Sequence, residues 1–166
     1  MKKFVQRITD LCSENKRVAM FIDMDGTINE YIVFSENTVV KKMEDNYIYI
    51  SPLSTVLKEL EEIGNISNID LYILSLSKAV KITKQKKVWL KKYVPFIPEE
   101  NWIILTKELD EYNSENRNII KAEKIKEKMS LYDHSILLDD DHTILKAARQ
   151  MFEDKIDVFH ISSALV

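Results

Sequence analysis

Five short apolar runs, each followed by a stretch of helical spacing or by the chain end, constrain this fold more than any other feature. They are residues 18–22, 69–74, 102–105, 135–138 and 156–159. The first, Val18-Ala19-Met20-Phe21-Ile22, is apolar throughout, as a parallel strand buried on both faces requires. Between the runs, apolar residues recur at three and four positions, predicting helices over residues 2–14, 52–63, 78–93, 119–129 and 143–152. Ser51-Pro52 reads as an N-cap followed by proline in the first turn, and Gly64 as the stop of that helix. Strands alternating with helices predict an α/β fold, a five-stranded parallel sheet covered on both faces. Ligands of such sheets bind beyond the carboxyl ends of the strands.

The length of 166 residues suits one domain over 1–166, with enough chain to bury a sizeable core. Residues 28–50 break the alternation and predict a small cap-like insertion. Its aromatic, β-branched pieces Tyr31-Ile32-Val33-Phe34 and Tyr47-Ile48-Tyr49-Ile50 have the composition of short strands, with a polar stretch at 36–46 between them. The net charge of −3 supplies no global field for nucleic acid or an anionic membrane, and neither partner is expected. The lysines at 78, 81, 84, 86, 87, 91 and 92 make one basic helix, read as a solvated face. The single cysteine, Cys12, excludes an internal disulfide framework. With no apolar run after the basic N-terminus and none long enough to span a bilayer, the expected location is cytoplasmic. The expected state is monomer or homodimer.

The polar ends of three strands carry the chemistry. The first run ends in Asp23-Met24-Asp25-Gly26-Thr27, the second in Ser75-Leu76-Ser77, and the fourth in Asp139-Asp140-Asp141. If strand one continued, Asp23 and Asp25 would face the same side; if the chain loops after Asp23, they would sit at different depths. Crowded carboxylates repel unless a cation or a proton lies between them. Converging carboxylates suit a hard, oxygen-preferring cation such as Mg²⁺. The acid run also has the makings of a helix N-cap.

An apolar strand ending in Asp-x-Asp-Gly-Thr resembles the first motif of the haloacid dehalogenase-like hydrolases. The later motifs follow in order, so the resemblance covers roughly residues 18–160. It implies a Rossmann-like three-layer sandwich and phosphoryl transfer through an aspartyl-phosphate, with Mg²⁺ as cofactor. By resemblance Asp23 is the nucleophile and Asp25 the general acid/base. The Ser75 hydroxyl and the Leu76 backbone N–H hold phosphate oxygens, with Ser77 as the competing serine. Lys121 is the lysine that neutralises nucleophile and phosphate, with Lys124 as the alternative. Asp140, then Asp139, join Asp23 and Asp25 as metal ligands, and Asp141 leaves that register open by one position. An unperturbed aspartate is a poor acid at neutral pH, so Asp25 is expected to carry a raised pKa.

Within the superfamily, Ser51-Pro52-Leu53, Tyr72-Ile73-Leu74-Ser75 and the stretch from Lys87 to Pro95 are most similar to the small 5′(3′)-deoxyribonucleotidases. That implies a small phosphorylated substrate such as a nucleoside monophosphate. A non-catalytic phosphate- or nucleotide-binding module is the alternative, against which the intact Asp23 and Asp25 argue. A phospho-accepting receiver domain does not place Asp-x-Asp-Gly-Thr at the end of its first strand.

Overall fold

The computed structural model describes residues 2–30 and 46–165. Its centre is a five-stranded parallel sheet in the order β3-β2-β1-β4-β5. The strands are β1 (Val18–Ile22), β2 (Ile69–Ser77), β3 (Trp102–Thr106), β4 (His134–Asp139) and β5 (Ile156–His160). The helices are α1 (Lys3–Glu14), α2 (Ser54–Gly64), α3 (Val80–Tyr93), α4 (Ile120–Lys128) and α5 (His142–Phe152). The architecture is the three-layer α/β sandwich expected from the alternation.

The period of two along β1 sorts the core into two layers. Val18, Met20 and Ile22 pack with Phe4 and Ile8 of α1, Val56 and Leu60 of α2, and Ile82 and Trp89 of α3. Ala19 and Phe21 point the other way, onto Ala122 and Ile125 of α4 and Ile144, Leu145 and Ala148 of α5. Strand β2 repeats the pattern, with Leu71 and Ile73 in the first layer and Tyr72 and Leu74 in the second. These phases decide which layer each polar residue at a strand end will meet.

Two expectations give way locally. The helix after Ser51-Pro52 starts only at Ser54, with Leu53 in the cap position and no side-chain cap. Residues 51–53 are held by the motif loop instead: Glu30 N donates to Ser51 O at 2.9 Å and Leu53 N to Ile28 O at 2.9 Å. Once their backbone groups are paired across to 28–30, these residues cannot also enter a helical turn. Tyr47–Tyr49, expected as a strand, is a turn of 3-10 helix closed by Ile50 N on Tyr47 O at 3.1 Å. Aromatic composition reports a half-buried surface more than a backbone preference, and here Tyr47 is buried for its hydroxyl. The strand expected at Tyr31–Phe34, and all but the end of the 36–46 stretch, lie outside the described residues. Among the described residues, no helix is long and apolar enough to cross a membrane.

Candidate active site

Strand β1 pairs with β2 on one side and β4 on the other, and all three run parallel. Their polar ends therefore open at one edge of the sheet, around a cleft of about 510 Å³. Asp23, Asp25, Leu76, Ser77, Lys121, Asp139 and Asp140 line it, joined by Lys78, Lys86, Tyr112, Arg117 and His142.

Asp23 remains tied to the sheet through its N–H on Leu138 O at 3.0 Å. The chain then loops. Thr27 N and Ile28 N both donate to Met24 O at 3.0 Å, and Gly26 adopts φ 75°, where a side chain would be strained. Asp25 is thereby carried off the line of the strand, the second of the two arrangements open from the sequence. Asp23 stays in phase with Ala19 and Phe21, so it meets α4. There Lys121 Nζ donates to Asp23 Oδ1 at 2.7 Å and to Asp139 Oδ2 at 2.7 Å. The Thr27 hydroxyl donates to the other Asp23 oxygen at 3.0 Å.

Burial pushes the Asp23 carboxyl up to about 6; Lys121 opposes the rise, and the charges of Asp139 and Asp25 add to it. Burial also raises Asp140, to about 8, with help from the charges of Asp23 and Asp139. Lys121, although buried, is held above the usual lysine range by the two carboxylates it bridges. One carboxylate oxygen from each of Asp23, Asp139 and Asp140 lies within 4.8 Å of the others. Three crowded acid oxygens, two of them on groups whose ionisation is suppressed, fit a hard divalent cation. Asp25 is not in that cluster.

Asp25 faces a different set of donors. Lys86 Nζ donates to its Oδ2 at 2.9 Å, and the Tyr47 hydroxyl donates to its Oδ1 at 2.6 Å. Asn29 Nδ2 donates to Tyr47 Oη at 2.9 Å, and Asn29 Oδ1 accepts from Gly26 N at 3.1 Å. Burial alone would raise Asp25, but the Lys86 charge and the bonds from Tyr47, Lys86 and Asn29 hold it below the usual carboxylate range. The raised pKa expected for this residue is therefore reversed in the free protein. Both its oxygens accept hydrogen bonds, which favours the charged form.

The remaining candidates separate cleanly. Lys124 pairs with Glu127 at 3.1 Å on the surface of α4, away from the acids. Asp141 caps α5, accepting from Thr143 N at 2.9 Å, and pairs with Arg117 at 3.1 Å. The acid run thus serves as metal-type cluster and helix cap at once. Ser77 lines the cleft and donates to Ala79 O at 3.0 Å. Ser75 is buried and accepts from Lys86 at 2.8 Å.

Sequence reasoning missed Lys86, Asn29 and the Tyr47 hydroxyl. Lys86 was readable: it stands four residues after Ile82 and three before Trp89, in phase with the buried stripe of α3. Of the seven lysines in and around α3, it alone is buried, at 1% exposure.

No family profile and no curated protein matches the chain. Its fold is similar to the crystal structure of a protein from Burkholderia xenovorans assigned as a haloacid dehalogenase-like hydrolase. The two share 14% identity over 87% of this chain and 83% of that one, with a TM-score of 0.57. At that identity the likeness speaks for the fold alone, an α/β sandwich about a five-stranded parallel sheet.

Proposed function

We propose that the protein is a Mg²⁺-dependent phosphatase that hydrolyses a small phosphomonoester, of the class of nucleoside monophosphates, through an aspartyl-phosphate on Asp23. The observation that carries this reading is the environment of Asp23. It is a carboxylate at a strand end, open to a cleft, flanked by a buried lysine and by two further acids that fit a cation. A binding module needs no such carboxylate facing its phosphate, since the two would repel.

In this mechanism an Asp23 carboxylate oxygen attacks phosphorus as the ester oxygen departs. Asp25 gives its proton to the leaving alkoxide, then takes one from the water that cleaves the acyl phosphate and releases inorganic phosphate. Asp25 is ionised in the free protein, so it serves as acid only when it acquires a proton in the substrate complex. A phosphate dianion beside it favours that proton by like-charge repulsion. Lys121 balances charge on Asp23 and the transferring phosphoryl group, and the Leu76 N–H would donate to its oxygens. Mg²⁺ held by Asp23, Asp139 and Asp140 would supply further neutralisation of the phosphoryl oxygens.

The test is phosphate release from an aryl phosphate with Mg²⁺, with EDTA, and with Asp23→Asn. Release that needs Mg²⁺ and disappears in Asp23→Asn supports the reading. Release unaffected by Asp23→Asn overturns it. A panel of nucleoside monophosphates and sugar phosphates then fixes the substrate class.

A further inference from the structure

Lysine carries three donatable protons and no acceptor. Lys86 Nζ has three protein acceptors: Asp25 Oδ2 at 2.9 Å, Ser75 Oγ at 2.8 Å and Leu76 O at 2.7 Å. Every proton is placed, and the ammonium is buried, so its position is fixed by those three oxygens. Ser75 must be the acceptor in its bond to Lys86.

The sheet phase says where Ser75 points. It follows Leu71 and Ile73, whose side chains belong to the layer of α1, α2 and α3. Asp23 follows Ala19 and Phe21, which belong to the layer of α4 and α5. Ser75 and the nucleophile candidate thus leave the sheet on opposite faces. Leu76, in the opposite phase, lines the cleft; Ser75 does not, and Lys86, which it holds, does.

We infer that Ser75 is a positioning residue rather than a phosphate ligand: it anchors Lys86, and Lys86 with Tyr47 fixes the Asp25 carboxylate at the cleft. With Lys86 on one oxygen and Tyr47 on the other, that carboxylate has no rotational freedom left. Through Lys86 the unit ties the end of β2 to the loop after β1. This inference rests on the phosphatase reading for its kinetics but not for its geometry.

Two readouts test it. The first needs no turnover: the ¹⁵Nζ resonance of Lys86, protected by burial, is observed by NMR in wild type and in Ser75→Ala. The inference expects the signal to shift or broaden away in Ser75→Ala; an unchanged signal overturns it. The second is a double-mutant cycle with Ser75→Ala, Lys86→Met and the pair, read as kcat, KM and the affinity for inorganic phosphate. Ser75→Ala is expected to lower kcat by tenfold or more while phosphate affinity stays within twofold. Adding Lys86→Met is expected to cost no more than Lys86→Met alone. A tenfold loss of phosphate affinity in Ser75→Ala, or losses that multiply in the double variant, overturns the inference. An inactive wild type would instead remove the phosphatase reading, leaving the NMR result to decide the clamp.

Discussion

The two buried lysines of the cleft hold acids in opposite ways. Lys121, from the α4–α5 layer, bridges two carboxylates, Asp23 and Asp139, that both face the acid cluster. Lys86, from the α1–α3 layer, holds one carboxylate, Asp25, and spends its other two protons on neutral oxygens. On the Lys121 side burial, with the charges of neighbouring carboxylates added, pushes Asp23 and Asp140 up, to about 6 and about 8. On the Lys86 side donors are in excess, so Asp25 is pushed down. The cleft therefore has a cation-seeking half and a half already satisfied by protein. The nucleophile candidate sits in the first and the acid/base candidate in the second, as two carboxylates with two tasks require.

The largest expected effect comes from breaking the first half. Lys121→Met leaves Asp23 and Asp139 buried without a counter-charge, which costs about 3–5 kcal/mol by the usual penalty for an orphaned buried charge. Urea unfolding in EDTA should show it, and Mg²⁺ should restore part of the loss. Lys86→Met should cost less, about 1–3 kcal/mol, because Asp25 keeps its Tyr47 bond and its side chain is 24% exposed. Equal losses for the two variants would erase the contrast between the halves.

The same contrast predicts the pH dependence of the metal-free protein. Asp140 and Asp23 hold protons more tightly folded than unfolded, so the folded state is the more protonated one above the ordinary aspartate pKa. Stability in EDTA should fall as pH rises from about 4 to about 8, the window between the ordinary value and the raised one. Saturating Mg²⁺ should flatten that slope. Asp25 contributes with the opposite sign: its lowered pKa adds stability that is lost as pH drops below the ordinary aspartate value. Urea midpoints at pH 3, pH 5 and pH 8, with and without Mg²⁺, check both signs.

Smaller effects mark the edges of the cleft. Asp141→Ala removes the α5 cap and its pair with Arg117, for about 1 kcal/mol, nearly all from the cap. Lys124→Ala should change stability by less than about 0.5 kcal/mol and leave phosphate release as it was. A strong activity loss there would reverse the choice between Lys121 and Lys124.

The same division explains what the sequence could reveal. The strands and the acids at their ends, Asp23, Asp139 and Asp140, follow from local signals, apolar runs that stop in acids, whereas Lys121 is singled out among several lysines only by the family resemblance. The acids act from elements whose periodicity is strong. The Lys86 half depends on contacts between distant segments, Tyr47 with Asp25 over 22 positions and Lys86 with Asp25 over 61. Lys86 was obscured by its neighbours, because six exposed lysines around it made one buried lysine look like the rest of a solvated face. Ser51-Pro52 failed for a related reason: the motif loop claimed the backbone groups that a helix start would have used.

The decisive step of the proposed mechanism is the transfer of a phosphoryl group to Asp23. It is tested most directly by adding beryllium and fluoride with Mg²⁺ and following the bound adduct by ¹⁹F NMR in wild type and in Asp23→Asn. Protein-bound resonances in wild type that are absent from Asp23→Asn are the predicted result. Bound resonances that persist in a folded Asp23→Asn, or none in a Mg²⁺-loaded wild type, would contradict it.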